Sequence, residues 1–501
     1  MKKNRILYIL LFTLFLGGCS EDFLVPELTS KLEADKVYSN ASSIKATRIG
    51  IYNLLAGKNN STGSLYQAGM PLCGSFVSND VVYGNKWNQT FSDVAALKNS
   101  ATTGWSATVW EQTYGITEVC NSIIKNEENI EKAVGKDLKD FYLADAKAVM
   151  AMVYSDVARF YANAYHVDNG KSLAIPFVDY VDYSVKPKRN TLDEIYKKSI
   201  ALFNESLKSL QGCDNNQNYM NTNAVHALLS RIYLDMHNWD MAQKEAKMAM
   251  EGVTLMSSEE YATGISHISS ETILAFSNTK VLRSIYRDFF SYHDTYDGMG
   301  EDLLINKSLV KKFGSNDLRT AFFIQQPNYN AYYPYKGKDG GYSAAAGYMK
   351  SHDAYSAGGK FPRRGAVLRK DIQGDLAVGD YNYIRGAEMV LVQAECFARM
   401  GKNTEAQNLL FDIQKRSIKG AVKSGSTGDT LLEEILLEKR KELFGEGHDM
   451  REVLRLGKGL VRDETNVIPE TIPDGSQRFR WHVPEREQDI NANLKDGQPT
   501  K

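Results

Sequence analysis

The sequence predicts a mainly α-helical protein: antiparallel helix pairs build a scaffold, and a large irregular stretch forms a loop-rich face within the same single domain. Three observations carry this prediction. Apolar residues recur at helical spacing over 105–253 and 381–447. Links of only a few residues join consecutive helices there, which forces neighbours to run antiparallel. Between 254 and 380 Gly, Ser, Asn and Asp break the period while aromatic rings become dense. A stretch that irregular inside a helical domain is usually functional, and its aromatic content argues against disorder.

At the start of the chain, Lys2, Lys3 and Arg5 precede an apolar run from Ile6 to Leu16. That run is shorter than the roughly 20 residues a membrane-spanning helix needs, and it matches the two regions of a signal peptide. Leu16-Gly17-Gly18-Cys19 follows and resembles the bacterial lipobox. A signal peptide over 1–18 and lipidation of Cys19 are therefore expected, with two or more acyl chains making a lasting anchor. Ser20, Glu21 and Asp22 resemble the acidic surface-export signal of Bacteroidetes lipoproteins. Residues 19–36 read as a tether.

The first helix is expected from Ser42 to Ala56, with Ile44, Arg48, Ile51, Tyr52 and Leu55 on one face and Gly57 as its stop. Residues 58–104 read as a loop-rich insertion. Helices follow over Ser106 to Asn126 and Lys136 to Tyr165. The next starts at Thr191, where Thr191 and Glu194 have capping-box spacing, and ends near Gly212. Thr222 to Met236 and Trp239 to Glu251 form a pair joined at His237-Asn238. Ala224, Ala227, Ala242, Ala246 and Ala249 sit at its contact positions, where small residues let helices approach closely. This resembles tetratricopeptide-type repeats, although no strict period of about 34 residues stands out. A second pair is expected over Ile384 to Met400 and Thr404 to Ile418, and Asp140 to Leu210 supplies a third. Residues 254–380 are the second loop-rich insertion, helix resumes over 381–447, and the tail from 459 to 501 is irregular.

Composition narrows the function. The chain has 501 residues, 43% hydrophobic and 24% charged, with a formal net charge of -1. Length alone would allow two to three domains. The basic stripe of a nucleic-acid binder is missing. Of five cysteines, Cys19 belongs to the processing signal; Cys73, Cys120, Cys213 and Cys396 form no CxxC pair or metal-ligand spacing. Cys120 and Cys396 fall inside apolar helical patterns and read as buried thiols. The sequence has no HExxH, GxSxG or P-loop, and Gly445-Glu446-Gly447 lacks the strand and final glycine of a dinucleotide site. Glu433-Glu434 reads as a solvated face. No catalytic residue, metal ligand or cofactor is expected.

Taken together, these segments resemble the SusD/RagB family of nutrient-binding outer-membrane lipoproteins over nearly the whole mature chain, 37–501. Tyr38 to Gly57 looks like the family's N-terminal helix, and Trp110, Tyr114, Ile116 and Asn121 follow the spacing of its next one. Ala224 to Trp239 is similar to its alanine-rich helix and turn, and Asp317-Leu318-Arg319 matches its Asp-x-Arg. Ile384 to Glu395 resembles its Arg-x-x-Glu-x-x-Leu-x-x-Ala-Glu helix, and Ile435 to Gly447 follows its next signature. His448-Asp449-Met450-Arg451 departs from the usual pattern, and Val483-Pro484 with Glu487 matches loosely. Arg385, Glu388 and Glu395 read as structural, because buried charges are normally paired. The resemblance implies a helical scaffold, a loop-borne ligand face and a partner, a SusC-type TonB-dependent transporter that receives the captured ligand.

Sugars offer flat C–H faces and polar edges, so their binding calls for aromatic platforms beside amide or carboxylate groups. Two irregular stretches supply both: Tyr83, Trp87 and Asn88 with Asp80 close in sequence, and Tyr296 with Tyr332, Tyr333 and Tyr335. The family's ligand aromatics come from loops in the same two regions. Rings there also serve to pack loops onto helices. Trp87 stands out because its neighbours are Asn85, Lys86, Asn88 and Gln89. The function expected is capture of oligosaccharides at the outer membrane. The alternatives are the same scaffold binding peptides or another nutrient, and a lipid-anchored hydrolase or assembly factor.

Overall fold

The computed structural model describes residues 34–56, 65–66, 70–83, 92–210, 216–277, 303–323, 355, 380–466 and 468–495. Its main helices are α1 (Ala41–Leu55), α2 (Gly104–Lys125), α3 (Glu127–Val134), α4 (Lys136–Tyr161), α5 (Leu192–Leu210), α6 (Thr222–Asp235), α7 (Trp239–Ala249), α8 (Gly386–Arg399), α9 (Asn403–Ser417), α10 (Gly428–Leu443) and α11 (Asp449–Arg455). Six short strands accompany them among the described residues: β1 (Val81–Tyr83), β2 (Thr272–Ser277), β3 (Leu303–Ile305), β4 (Asp380–Arg385), β5 (Leu460–Arg462) and β6 (Glu470–Ile472). They form three antiparallel ladders, β1–β3, β2–β4 and β5–β6.

The helices pack in sequence, α2 on α4, α4 on α5, α5 on α6, then α6, α7, α8 and α9 each on the next. Local chemistry starts and stops them. Asn40 caps α1 by accepting from Ser42 N–H at 2.8 Å. Thr191 and Glu194 form the reciprocal capping box at the head of α5, at 3.0 and 3.2 Å. Between α6 and α7, His237 takes φ +58°, and Asn238 N–H donates back to Tyr233 O at 2.8 Å. Asn238 then caps α7 through Met241 N–H. Ala224, Ala227, Ala242, Ala246 and Ala249 are all completely buried. The pair α8–α9 repeats this plan around Ala394, Ala398, Ala406 and Leu410, with α10 adding Leu431 and Ile435.

The structure departs from the sequence reading in several places. The segment Asp380–Arg385 is a strand, so helix begins at Gly386 rather than Ile384 or 381. Its Tyr-x-Tyr-Ile run suits a pleated surface, and pairing with β2 satisfies its backbone. The helix expected to reach Tyr165 ends at Tyr161, with only a four-residue turn at Tyr165–Asp168. The eight-residue α3 went unread; Ile130 is its only buried side chain. The C-terminal tail is more ordered than expected. It contains the β5–β6 ladder, a helix at Glu485–Ile490, and Trp481 buried against Phe160. Cys73, Cys120 and Cys396 are buried free thiols; burial pushes the Cys396 thiol up to about 12.

Candidate ligand-binding face

Two ladders fix where the chain leaves and rejoins the framework around the candidate aromatic stretches. In β1–β3, Val81 lies opposite Ile305 and Tyr83 opposite Leu303. Residue 84 therefore departs from the rung at which residue 302 returns. Tyr355 is pinned to the same strand: its N–H donates to Ile305 O at 3.0 Å, and its O accepts from Ile305 N–H at 2.7 Å. In β2–β4, Ser277 lies opposite Asp380, so the whole excursion from 278 to 379 begins and ends on one rung. A rigid scaffold that gathers loop roots in this way is how binding loops are usually held.

Polar side chains lock the base of β1–β3. Asn306 Nδ2 donates to Asn79 O at 2.9 Å, and Asn306 N–H donates to Asp80 O at 2.8 Å. Asn79 Nδ2 donates to Asp463 at 2.9 Å, and Thr465 Oγ1 donates to Asn306 Oδ1 at 2.8 Å. Asp80 is not available to a ligand. Arg440 holds both its oxygens, at 2.9 and 2.5 Å, and its side chain is 5% exposed.

Buried charge welds the β2–β4 ladder to the helices. Arg385 reaches Glu271, Glu442 and Glu446, each at 2.7 Å. Arg416 joins Glu271 at 3.0 Å and Glu442 at 2.6 Å, and Arg319 adds Asp317 at 2.9 Å and Glu442 at 3.1 Å. Glu271 also caps α8, accepting from Ala387 N–H at 3.2 Å where the helix end favours negative charge. Glu388 pairs with Arg231 at 2.7 Å, and Glu395 with Arg455 at 2.6 Å. Arg385, Glu388 and Glu395 are thus structural, as the sequence suggested. Below the ladders, Tyr66, Phe276 and Tyr383 pack ring against ring, and the Tyr66 and Tyr383 hydroxyls both donate to Asp156. Burial raises both phenols well above their usual range. These rings are core.

Of the residues expected to meet ligand, the backbone of Tyr83 ends β1. Trp87, Asn88, Tyr296, Tyr332, Tyr333 and Tyr335 lie outside the described residues, as does Cys19. The sequence reading missed Asn306 and Arg440, which hold the loop roots; the partners of each are distant in sequence, and Arg440 is one of several charged residues in a row. Among the described residues no helix is long and apolar enough to cross a membrane, and no group of His, Cys, Asp or Glu is placed to hold a metal ion.

Known proteins share this architecture. A SusD superfamily protein from Bacteroides thetaiotaomicron is 22% identical with a TM-score of 0.79, and the match covers 92% of this chain and 100% of that one. A SusD-like carbohydrate binding protein from Bacteroides vulgatus is 20% identical with a TM-score of 0.73, over 92% of this chain and 98% of its own. A SusD superfamily protein from Bacteroides fragilis is 20% identical with a TM-score of 0.73, over 92% and 100%. At such identities the likeness shows the fold. No curated protein matches the chain. The SusD family model matches residues 231–496, which take in the end of α6, α7 through α11, the buried arginine–glutamate network, the β2–β4 ladder and strand β3. By that match over more than half its length, the chain belongs to the SusD family.

Proposed function

We propose that the protein is a cell-surface lipoprotein that captures oligosaccharides and passes them to a SusC-type TonB-dependent transporter. The observation that carries this reading is the gathering of loop roots. Stretches bearing Trp87, Tyr296 and Tyr332 through Tyr335 all start from or return to the β1–β3 and β2–β4 ladders. One face can then present several rings and amides to one extended sugar. A B. vulgatus relative of the same fold is described as carbohydrate binding, which supports this ligand class.

The mature chain begins at Cys19 after removal of 1–18, and acyl groups on Cys19 hold it at the outer membrane facing outward. Residues 19–36 are the tether, and 37–501 form the SusD-like domain. Tyr83, Trp87, Asn88, Tyr296, Tyr332, Tyr333 and Tyr335 contact the ligand. The role is binding without turnover. A glycan array followed by calorimetry on the purified chain tests it: an oligosaccharide binds at a defined stoichiometry and is recovered intact. Binding of peptides and no glycan, or cleavage of the bound sugar, contradicts the reading.

A further inference from the structure

A recess lies at the Val81 end of β1, the end away from residue 84. The stretch Ser78 to Asp80, the last turns of α10, helix α11 and the strand β5 enclose a cleft of about 220 Å³. Asp80 precedes β1 and Tyr83 ends it, so at about 3.3 Å per residue the cleft is set off from the point where residue 84 departs. Its walls are mostly apolar: Leu436, Leu443, Phe444, Val453, Leu456 and Val461. The space admits one long side chain or a small molecule.

One carboxyl in the cleft has no salt bridge of its own. Asp80 is taken by Arg440, and Lys439 on the same helix meets Glu452 of α11 at 2.9 Å. Lys458 at the mouth pairs with Glu433. His448, next to Asp449, is kept neutral at neutral pH, burial pushing it down to about 4. Asp449 makes no salt bridge among the described residues; the Ser78 hydroxyl and the charge of Arg440, itself engaged by Asp80, favour its ionised form, but its Oδ2 is buried without a hydrogen bond. A solvent-shielded carboxyl oxygen with nothing to accept from is costly, and it is found where something else supplies the donor.

We propose that this cleft binds a primary ammonium carried on an apolar stem, with the ammonium on Asp449 and the stem along Leu436, Phe444 and Val461. An ammonium supplies the donor that Oδ2 lacks and a full positive charge beside it, while the stem covers the apolar walls. The same chemistry comes from a free alkylamine or from a lysine side chain. Without ligand, burial and the adjacent Asp80 carboxylate push Asp449 up to about 7, so a proton fills the place the ammonium would take. Ligand and proton therefore compete.

The test is calorimetry or ligand-observed NMR on the purified chain with n-butylamine, Nα-acetyl-lysine methylamide and, as neutral control, n-butanol. The amines bind, and their affinity rises about tenfold from pH 6 to pH 8 as the carboxyl loses its proton. n-Butanol binds at least tenfold more weakly. Asp449→Asn removes amine binding while oligosaccharide binding persists, which separates this site from the loop face. Val461→Lys places a like charge at the mouth; Val461 is 60% exposed, so the variant folds, and it weakens amine binding. Binding of both amine probes fits either source, and binding of one alone identifies it. Equal affinity for n-butanol, affinity that rises as pH falls, or amine binding that survives both substitutions overturns the proposal.

Discussion

Glu388 keeps its charge inside the protein because Arg231 meets both of its oxygens at 2.7 Å. Burial opposes ionisation there, but Arg231 outweighs it and holds the carboxyl at about 2. A carboxyl depressed this way contributes stability that is complete above about 4.5, its unfolded value, and is lost as pH falls toward 2. His448, depressed to about 4, adds a loss as pH falls from 6.5 toward 4. Asp449 acts in the opposite sense: raised to about 7, it favours the fold as pH falls from 7 toward 3.8. The two offset each other between pH 7 and 4.5. Asp449→Asn therefore makes the melting temperature fall more steeply over that range than it does in the parent, and parallel curves would refute the assignment. Arg231→Met leaves Glu388 buried without its partner, and denaturant titration should show a loss of about 3–5 kcal/mol. The sequence revealed that Glu388 and Glu395 are structural, since both fall on a helix among apolar residues. It could not name Arg231 and Arg455, because ion-pair partners 157 and 60 residues apart leave no local pattern.

At the scale of elements, the helix pairs rest on side chains small enough to let backbones meet. Ala227 and Ala246 have no exposed surface. Ala→Leu at either position overpacks the α6–α7 contact and should cost about 1–3 kcal/mol in thermal or chemical unfolding. A loss below about 0.5 kcal/mol at both would place them outside the contact. These pairs were legible because periodicity, caps and tight links are all local. The ladders were not. β4 sits directly before the α8 signature, so its alternating Tyr381 and Tyr383 read as the start of that helix, and its partner β2 lies more than a hundred residues earlier. Short strands formed by distant segments carry too few residues to announce themselves. Yet these strands, more than the helices, hold the ends from which the candidate loops depart.

The account of the whole molecule joins an anchor, a scaffold and a face. Cys19→Ala should remove fatty-acid labelling and shift the protein out of the membrane fraction, and persistent labelling would refute the anchor. Changing Ser20, Glu21 and Asp22 together should keep the lipid but lower exposure to protease on intact cells. For the face, the sequence supplied candidate residues and the ladders hold the roots of the stretches that carry them. The central claim is that aromatic side chains on loops rooted at β1–β3 bind an oligosaccharide, and Trp87 is its sharpest point. Calorimetry of Trp87→Ala with an oligosaccharide that the parent binds, beside a thermal melt, tests it most directly. The account predicts binding weaker by at least about 1 kcal/mol with an unchanged melting temperature; unchanged binding, or lost binding with a collapsed melt, would contradict it.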